Sequence, residues 1–252
     1  MVYGQEQPRE SMLSTPIPEY PWQFVSQDLF KFERSNFLIT VDHYSDYIEA
    51  DLENTLSSTV IAKSKATFCR YGIPEVNLTD NGPQFTSMEY AVFCKEYGIQ
   101  HITSSPYYPQ GNGKAEAAVK VVKSLMKKAD DYHLALLHHR NTPPQGHSFS
   151  PVQRCFGRRT RHILPAAKAT MTPGSHYSRI VQGEVAERRR SSKAYYDKSV
   201  KLDLEDFQVG EYAYAKPPPN SRGQACLYDE IVGEEGPRSY VLKMPHGEVR
   251  RN

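Results

Sequence analysis

Three acidic residues could do chemistry together: Asp28, Asp80 and Glu116. Asp28 sits in "WQFVSQDLF", Asp80 in "LTDNGPQF", and Glu116 near the start of "GKAEAAVKVVKSLMKKAD". Each has an ordinary explanation on its own. Asp-Asn-Gly is turn chemistry, because Asn and Gly tolerate positive φ and Asp bonds its own backbone. A glutamate in the first turn of a helix is mildly favoured by the helix dipole. Asp28 could face water from a strand, and Asp42 in "TVDHYS" competes with it for any shared role; strand alternation does not choose between them. Three carboxylates held together repel one another unless cations neutralise them. Hard oxygen donors suit Mg²⁺ or Mn²⁺, and a pair of such ions is the usual device for phosphoryl transfer.

For these residues to meet, strands and a helix must carry them to one place. "WQFVSQDLF" alternates with period two, so Trp22, Phe24, Ser26, Asp28 and Phe30 are predicted to share a face. "SNFLITVDHYS" and "DYIEADLEN" read as two more strands, and the short connections predict an antiparallel meander. "SSTVIAKSKATFCRYG" reads as a helix capped by Ser57 or Ser58, with Gly72 past its end. "IPEVNLT" is a fourth strand with Asp80 just beyond it, "SMEYAVFCKEYG" a second helix, and "IQHIT" a fifth strand. The loop "SSPYYPQGNG" leads into the helix of Glu116, and helical pattern continues through Arg140. "SPVQRCFG" is a short helix with Ser150 as cap and Pro151 at its first position. This order predicts an α/β fold, a mixed five-stranded sheet with flanking helices. Sites in such sheets gather at strand ends and helix N-termini, so the three carboxylates can converge.

The same reading divides the chain into an extended arm (1–20), a core (21–165), a basic helical linker (166–205) and a small β module (206–252) whose last strand is expected to be missing. Net charge is only +2, so any nucleic-acid contact must come from local patches. Cys69, Cys94, Cys155 and Cys226 form no C-x-x-C pair, which argues against a disulfide framework and against zinc. The longest apolar run, Phe37 to Val41, is far too short to span a bilayer, and the N-terminus lacks the apolar core of a signal peptide. The expectation is an intracellular protein with no membrane partner.

Taken together, "WQFVSQDLF", "TVDHYSDYIEA", "GIPEVNLTDNGPQFTS", "EYGIQHITSSPYYPQGNGKAEAAVKVVK" and "RNTP…SPVQRCFGRR" resemble the integrase catalytic core of retroviruses and long-terminal-repeat retrotransposons, most closely the Ty3/gypsy-like group. The resemblance runs from about Pro21 to Pro165, and 35 residues separate Asp80 from Glu116, as in that family. It implies an RNase H-like fold, and Asp28, Asp80 and Glu116 as the catalytic residues and ligands of two Mg²⁺ or Mn²⁺ ions. Asp42 is then a structural residue. The implied function is polynucleotidyl transfer: water frees a DNA 3′ end, and that 3′-OH attacks target DNA, with no small-molecule substrate besides water. The partners implied are element and target DNA and further copies of the same chain, acting in the nucleus. The C-terminal segment resembles, more weakly, the small SH3-like barrel that follows such cores. The His₂Cys₂ zinc domain that precedes them is missing, as expected of a fragment or a host-domesticated copy. Two alternatives are a catalytically silent DNA-binding derivative and an RNase H-type nuclease.

The candidate DNA contacts follow. Glu116, Lys120, Lys123 and Lys127 share one helix face, with Ala118, Val122, Leu125 and Ala129 opposite. The stripe is either a solvated face or a track for phosphates; the resemblance places it against a DNA end. Tyr107 and Tyr108 could stack on bases, and Gln110 and Asn112 share their loop. Asn81 and Gln84 shape the Asp80 turn and could touch substrate. Arg188, Arg189 and Arg190 form a secondary basic cluster.

Overall fold

Alternating apolar residues build the first three strands, β1 (Phe24–Phe32), β2 (Ser35–Asp42) and β3 (Ile48–Glu53), which pair as an antiparallel meander. The computed structural model describes residues 17–53, 56–104, 112–165, 167–174, 177–198, 207–215, 227–234, 240–244 and 247–251. Helix α1 (Ser57–Tyr71) crosses to β4 (Val76–Thr79), and α2 (Met88–Glu96) crosses to β5 (Gln100–Thr103). Both crossovers return the chain parallel to β1, giving the sheet order β3-β2-β1-β4-β5. Helices α3 (Gly113–Lys128), α4 (Tyr132–Asn141), α5 (Pro151–Phe156) and α6 (Tyr177–Asp197) follow. This is the mixed five-stranded α/β arrangement expected from the sequence.

Period-two alternation sorts the core into two layers. On one face Val25 and Leu38 pack with Val60 and Phe68 of α1 and Tyr90 and Phe93 of α2. On the other, Phe30, Phe37, Ile39 and Val41 pack with Ala115, Ala118 and Val122 of α3 and Leu136 of α4. Trp22 departs from the predicted pattern. Its φ of 65° breaks the strand geometry just before β1, and its ring joins the α1 and α2 layer instead of the face of Phe30.

The start of α1 also differs from expectation. Neither Ser57 nor Ser58 caps α1; Leu56 holds the cap position, with no side-chain bond to the first turn. Helix α6 begins at Tyr177 and buries Val181 and Val185 against Tyr44. By contrast, Ser150 and Gln153 form the full capping box of α5, with Pro151 in the first turn.

The contacts divide the chain into two units, one of Met12–Thr103 with Asn112–Lys198, the other containing the C-terminal strands. In the second, β6 (Tyr212–Ala215), β7 (Leu227–Glu234), β8 (Tyr240–Met244) and β9 (Gly247–Arg251) form an antiparallel sheet in sequence order. Among its described residues, Ile231, Tyr240 and Leu242 supply the buried face.

Candidate active site

Strand register places the acidic residues. Asp28 pairs with Ile39, so it shares the face of Phe30 and Ile39, beneath α3. Parallel pairing aligns Ser26 with Leu78, and two further steps bring each strand to Asp28 and Asp80. Neighbouring strands lie about 4.8 Å apart. Asp80 falls immediately after β4, where its Oδ1 accepts the Gly82 N–H at 3.0 Å. A side chain at 82 would crowd that approach: a Cβ there would stand 3.0 Å from Asp80 Oδ1 and 3.4 Å from Gln84 Oε1.

Glu116 lies half-buried in the first turn of α3, and Asn112 fixes where that helix begins. The Asn112 side chain is buried, 3% exposed, and donates from Nδ2 to the Gln27 carbonyl at 3.0 Å. The anchor point is thus the residue next to Asp28. Asn112, expected to meet DNA, faces the sheet here and acts as a tether.

Asp28 feels both its burial and the charges of Asp80 and Glu116. Burial, chiefly, raises its carboxyl from the ordinary 3.8 to about 6, and the charges of Asp80 and Glu116 push the same way. The Leu29 N–H, donated to Asp28 Oδ1 at 2.7 Å, and the Lys123 ammonium oppose the rise. Among the described residues, no three His, Cys, Asp or Glu side chains stand close enough to hold an ion as they are. The donor set nevertheless fits a hard divalent cation: oxygen ligands only, mutually repelling, with a central carboxylate whose charge is unfavourable without a counter-charge.

Asp42 resolves differently. It pairs with Val25, on the face away from α3, and is fully buried. Its carboxylate accepts from the backbone N–H of Trp22 at 3.0 Å, Tyr44 at 3.2 Å and Ser45 at 2.9 Å, and from Ser45 Oγ at 2.5 Å. With its acceptor positions occupied, Asp42 organises the turn between β2 and β3. Beneath the acidic face lies a second polar network. Gln27 Nε2 donates to Thr40 Oγ1 and Ser64 Oγ, both at 3.0 Å, and Gln27 Oε1 accepts from Asn77 Nδ2 and Tyr90 Oη, both at 2.8 Å. Gln27, Ser64, Asn77 and Tyr90 are fully buried, so these bonds tie β1, β4, α1 and α2 directly under Asp28 and Asp80.

Lys120, Lys123, Ser124, Lys127 and Lys128 line one shallow depression on α3, so the predicted lysine stripe shares a surface. Lys123 Nζ lies 5.5 Å from the Phe30 ring centre, over the same face as Asp28. Ala118 and Val122 are buried opposite, whereas Ala129 is the residue that ends the helix. Asn81 is exposed and Gln84 half-buried beside the Asp80 turn. Tyr107, Tyr108 and Gln110 lie outside the described residues. The arginine cluster is engaged within the chain: Arg188 pairs with Asp46 at 3.3 Å and Arg190 with Glu187 at 2.9 Å. Burial lowers the Arg189 pKa while the Asp46 charge opposes it.

Sequence reasoning missed Lys114 and Asp46, whose side chains meet at 2.5 Å at the start of α3. One signal was available. A cation in the first turn of a helix opposes the dipole and calls for an acidic partner.

A mixed sheet thus carries Asp28 and Asp80 beside a lysine-striped helix. Residues 20–109 match the integrase core domain family, a span that contains Asp28 and Asp80 and ends before Glu116. Over that span the chain is similar to the integrase core domain. It is 26% identical over 265 residues to an uncharacterized protein of Caenorhabditis elegans, a match covering 94% of this chain and 20% of that protein. It is 34% identical over 114 residues to the Gag-Pro-Pol polyprotein of sheep pulmonary adenomatosis virus, covering 44% of this chain and 6% of the polyprotein. The chain thus spans a fifth or less of these relatives. In fold it is similar to a chain of the simian T-cell lymphotropic virus intasome, solved in complex with a PP2A regulatory subunit, with a TM-score of 0.61 and 17% identity, covering 98% of this chain and 81% of that one.

Proposed function

We propose that this chain is the catalytic core of a metal-dependent DNA strand transferase, with Asp28, Asp80 and Glu116 as its reactive carboxylates. The observation that carries the reading is the strand register that sets the half-buried Asp28 beside Asp80, on the face that α3 and Glu116 cover. Ionising a carboxylate at such a site costs free energy that a bound cation would offset. Two Mg²⁺ or Mn²⁺ ions, when bound, would supply activation of the attacking oxygen and stabilisation of the leaving oxygen. Asp28, the central carboxylate, is suited to serve both ions, with Asp80 completing one side and Glu116 the other. Lys120, Lys123 and Lys127 run from Glu116 along α3 and would neutralise the phosphates of a DNA end. Gln84 and Asn81 border the Asp80 turn and would contact the strand there, and Tyr107, Tyr108 and Gln110 are assigned to the same DNA.

On this reading the substrates are an element DNA end and target DNA, and the working form is a homo-oligomer acting in the nucleus. Residues 21–165 form the core and 166–205 the connector, and the C-terminal sheet is part of an SH3-like module over 206–252.

The test is Mn²⁺-dependent strand joining on a branched DNA that already carries a 3′-OH beside the scissile phosphate. Wild type is expected to join strands, and Glu116→Gln to lose joining by at least about a hundredfold while still binding DNA. A folded, DNA-binding wild type without activity would favour a silent DNA-binding derivative. Preference for an RNA–DNA hybrid would favour a nuclease.

A further inference from the structure

We infer that Asp46 is a positioning residue that fixes the start of α3, and through it Glu116, by gathering cations from three separate helices. The inference rests on the assignment of Glu116 as a reactive carboxylate, and extends it to a part of the fold that touches no substrate.

Asp46 sits in the turn between β2 and β3 with φ of 60°, a left-handed conformation that Asp tolerates better than most residues. The turn is rigid. The Asp46 N–H donates to the Asp42 carbonyl at 3.1 Å, the Asp42 N–H donates to the Tyr47 carbonyl at 3.0 Å, and the Asp42 carboxylate holds Tyr44 and Ser45. From this fixed base the Asp46 carboxylate meets Lys114 of α3 at 2.5 Å, Arg154 of α5 at 2.7 Å and Arg188 of α6 at 3.3 Å. Lys114 Nζ also donates to the His43 carbonyl at 3.1 Å, and Arg154 Nη2 to the Tyr44 carbonyl at 2.6 Å. The cations hold the Asp46 carboxyl well below the usual carboxylate range, despite its burial.

Two features make this more than a surface ion pair. Arg154 is only 4% exposed, so its guanidinium requires a counter-charge. Lys114 occupies the first turn of α3, where the dipole disfavours a cation, two residues before Glu116. Asp46 therefore offsets an unfavourable charge at the point from which Glu116 is aimed. Asn112, bonded to Gln27, supplies a second tether, and together they hold the helix start at two places. Because Arg188 reaches the same carboxylate, docking of α6 and placement of Glu116 are coupled through one side chain.

The experiment uses the full chain and the variants Lys114→Gln, Lys114→Arg and Asp46→Asn. Lys114→Gln leaves the Asp46–Arg154 pair intact and is the decisive variant, because Asp46→Asn also uncovers a buried arginine. The first readout is amide hydrogen exchange at Ala117, Ala118, Val119 and Lys120, which needs no catalysis. Lys114→Gln is expected to speed exchange there by about tenfold, with α1 unchanged, as a charged hydrogen bond is lost. The second readout is the Mn²⁺ concentration for half-maximal strand joining. It is expected to rise by about tenfold at an almost unchanged maximal rate, because an outer tether of a ligand is gone. Lys114→Arg should restore both. Unchanged exchange in Lys114→Gln would overturn the positioning role. An inactive wild type would remove the transferase reading, while the exchange result would still decide whether Asp46 and Lys114 fix the helix.

Discussion

Replacing Asp28 with Asn should stabilise the metal-free protein at neutral pH and leave it unchanged in acid. In the fold this carboxyl titrates near about 6, against an ordinary 3.8. Between those values the folded state holds a proton that the unfolded chain has released, so folding stability falls as pH rises from about 4 to about 6 and stays lowered above. At ~1.4 kcal/mol per pH unit the full effect is about 3 kcal/mol. The side chain is only half-buried, and solvent screening reduces this to about 1–2 kcal/mol. Asn keeps an oxygen for the Leu29 N–H and carries no charge, so it removes the cost and little else. The assay is urea unfolding of both proteins in chelator, at about pH 4 and about pH 7.5. Asp28→Asn is expected to gain that stability only at the higher pH. Mn²⁺ should then narrow the gap, because it binds and stabilises the wild type alone. An equal gain at both pH values would show that shape and not charge is responsible. No gain at either would refute the raised Asp28 carboxyl.

Three further substitutions probe the parts that hold the site. Gly82→Ala places a methyl group 3.0 Å from Asp80 Oδ1, so strand joining should drop by about tenfold or more at almost unchanged melting temperature; full activity would mean that the Asp80 turn yields freely. Tyr90→Phe leaves Gln27 Oε1 and Asn77 Nδ2 short of a partner in a fully buried network, and should cost about 1–3 kcal/mol in denaturant unfolding; an unshifted midpoint would count against the network. Lys120→Glu should weaken DNA binding and flatten its dependence on log salt concentration by about one to two phosphate equivalents; an unchanged slope would return the stripe to an ordinary solvated face.

Periodicity made the strands, helices and their order legible, because each element buries one face and must repeat at 2 or 3.6 residues. The Ser150 cap of α5 was legible for a local reason: its partner, Gln153, is three residues away. Asp28 and Asp42 could not be separated by alternation, since both lie on strands. Pairing register separates them by turning one toward α3 and the other toward Trp22. The Asp46 cluster was illegible because its arginine partners lie 108 and 142 residues along the chain, beyond any local pattern. Asn112 was misjudged for a related reason: a polar residue in a Gly-rich loop reads as exposed until its distant carbonyl partner is known. The arginine run in α6 drew attention as a basic patch, but its partners Asp46 and Glu187 are acids of the same chain.

Trp22 is the only tryptophan in the chain, and it is 3% exposed. Its ring stacks on Tyr71 with centroids 4.2 Å apart, and its Nε1 donates to Cys155 Sγ at 3.3 Å. Indole emission therefore reports one seam, where the entry to β1 meets α1 and α5. The strands after Ser199 contain no tryptophan and are silent to selective indole excitation. Far-ultraviolet circular dichroism, in contrast, sums over all backbone. A single protein sample thus carries its own two-channel test of cooperativity: superimposable unfolding curves mean that core and C-terminal sheet melt as one, and separated curves mean that they melt apart.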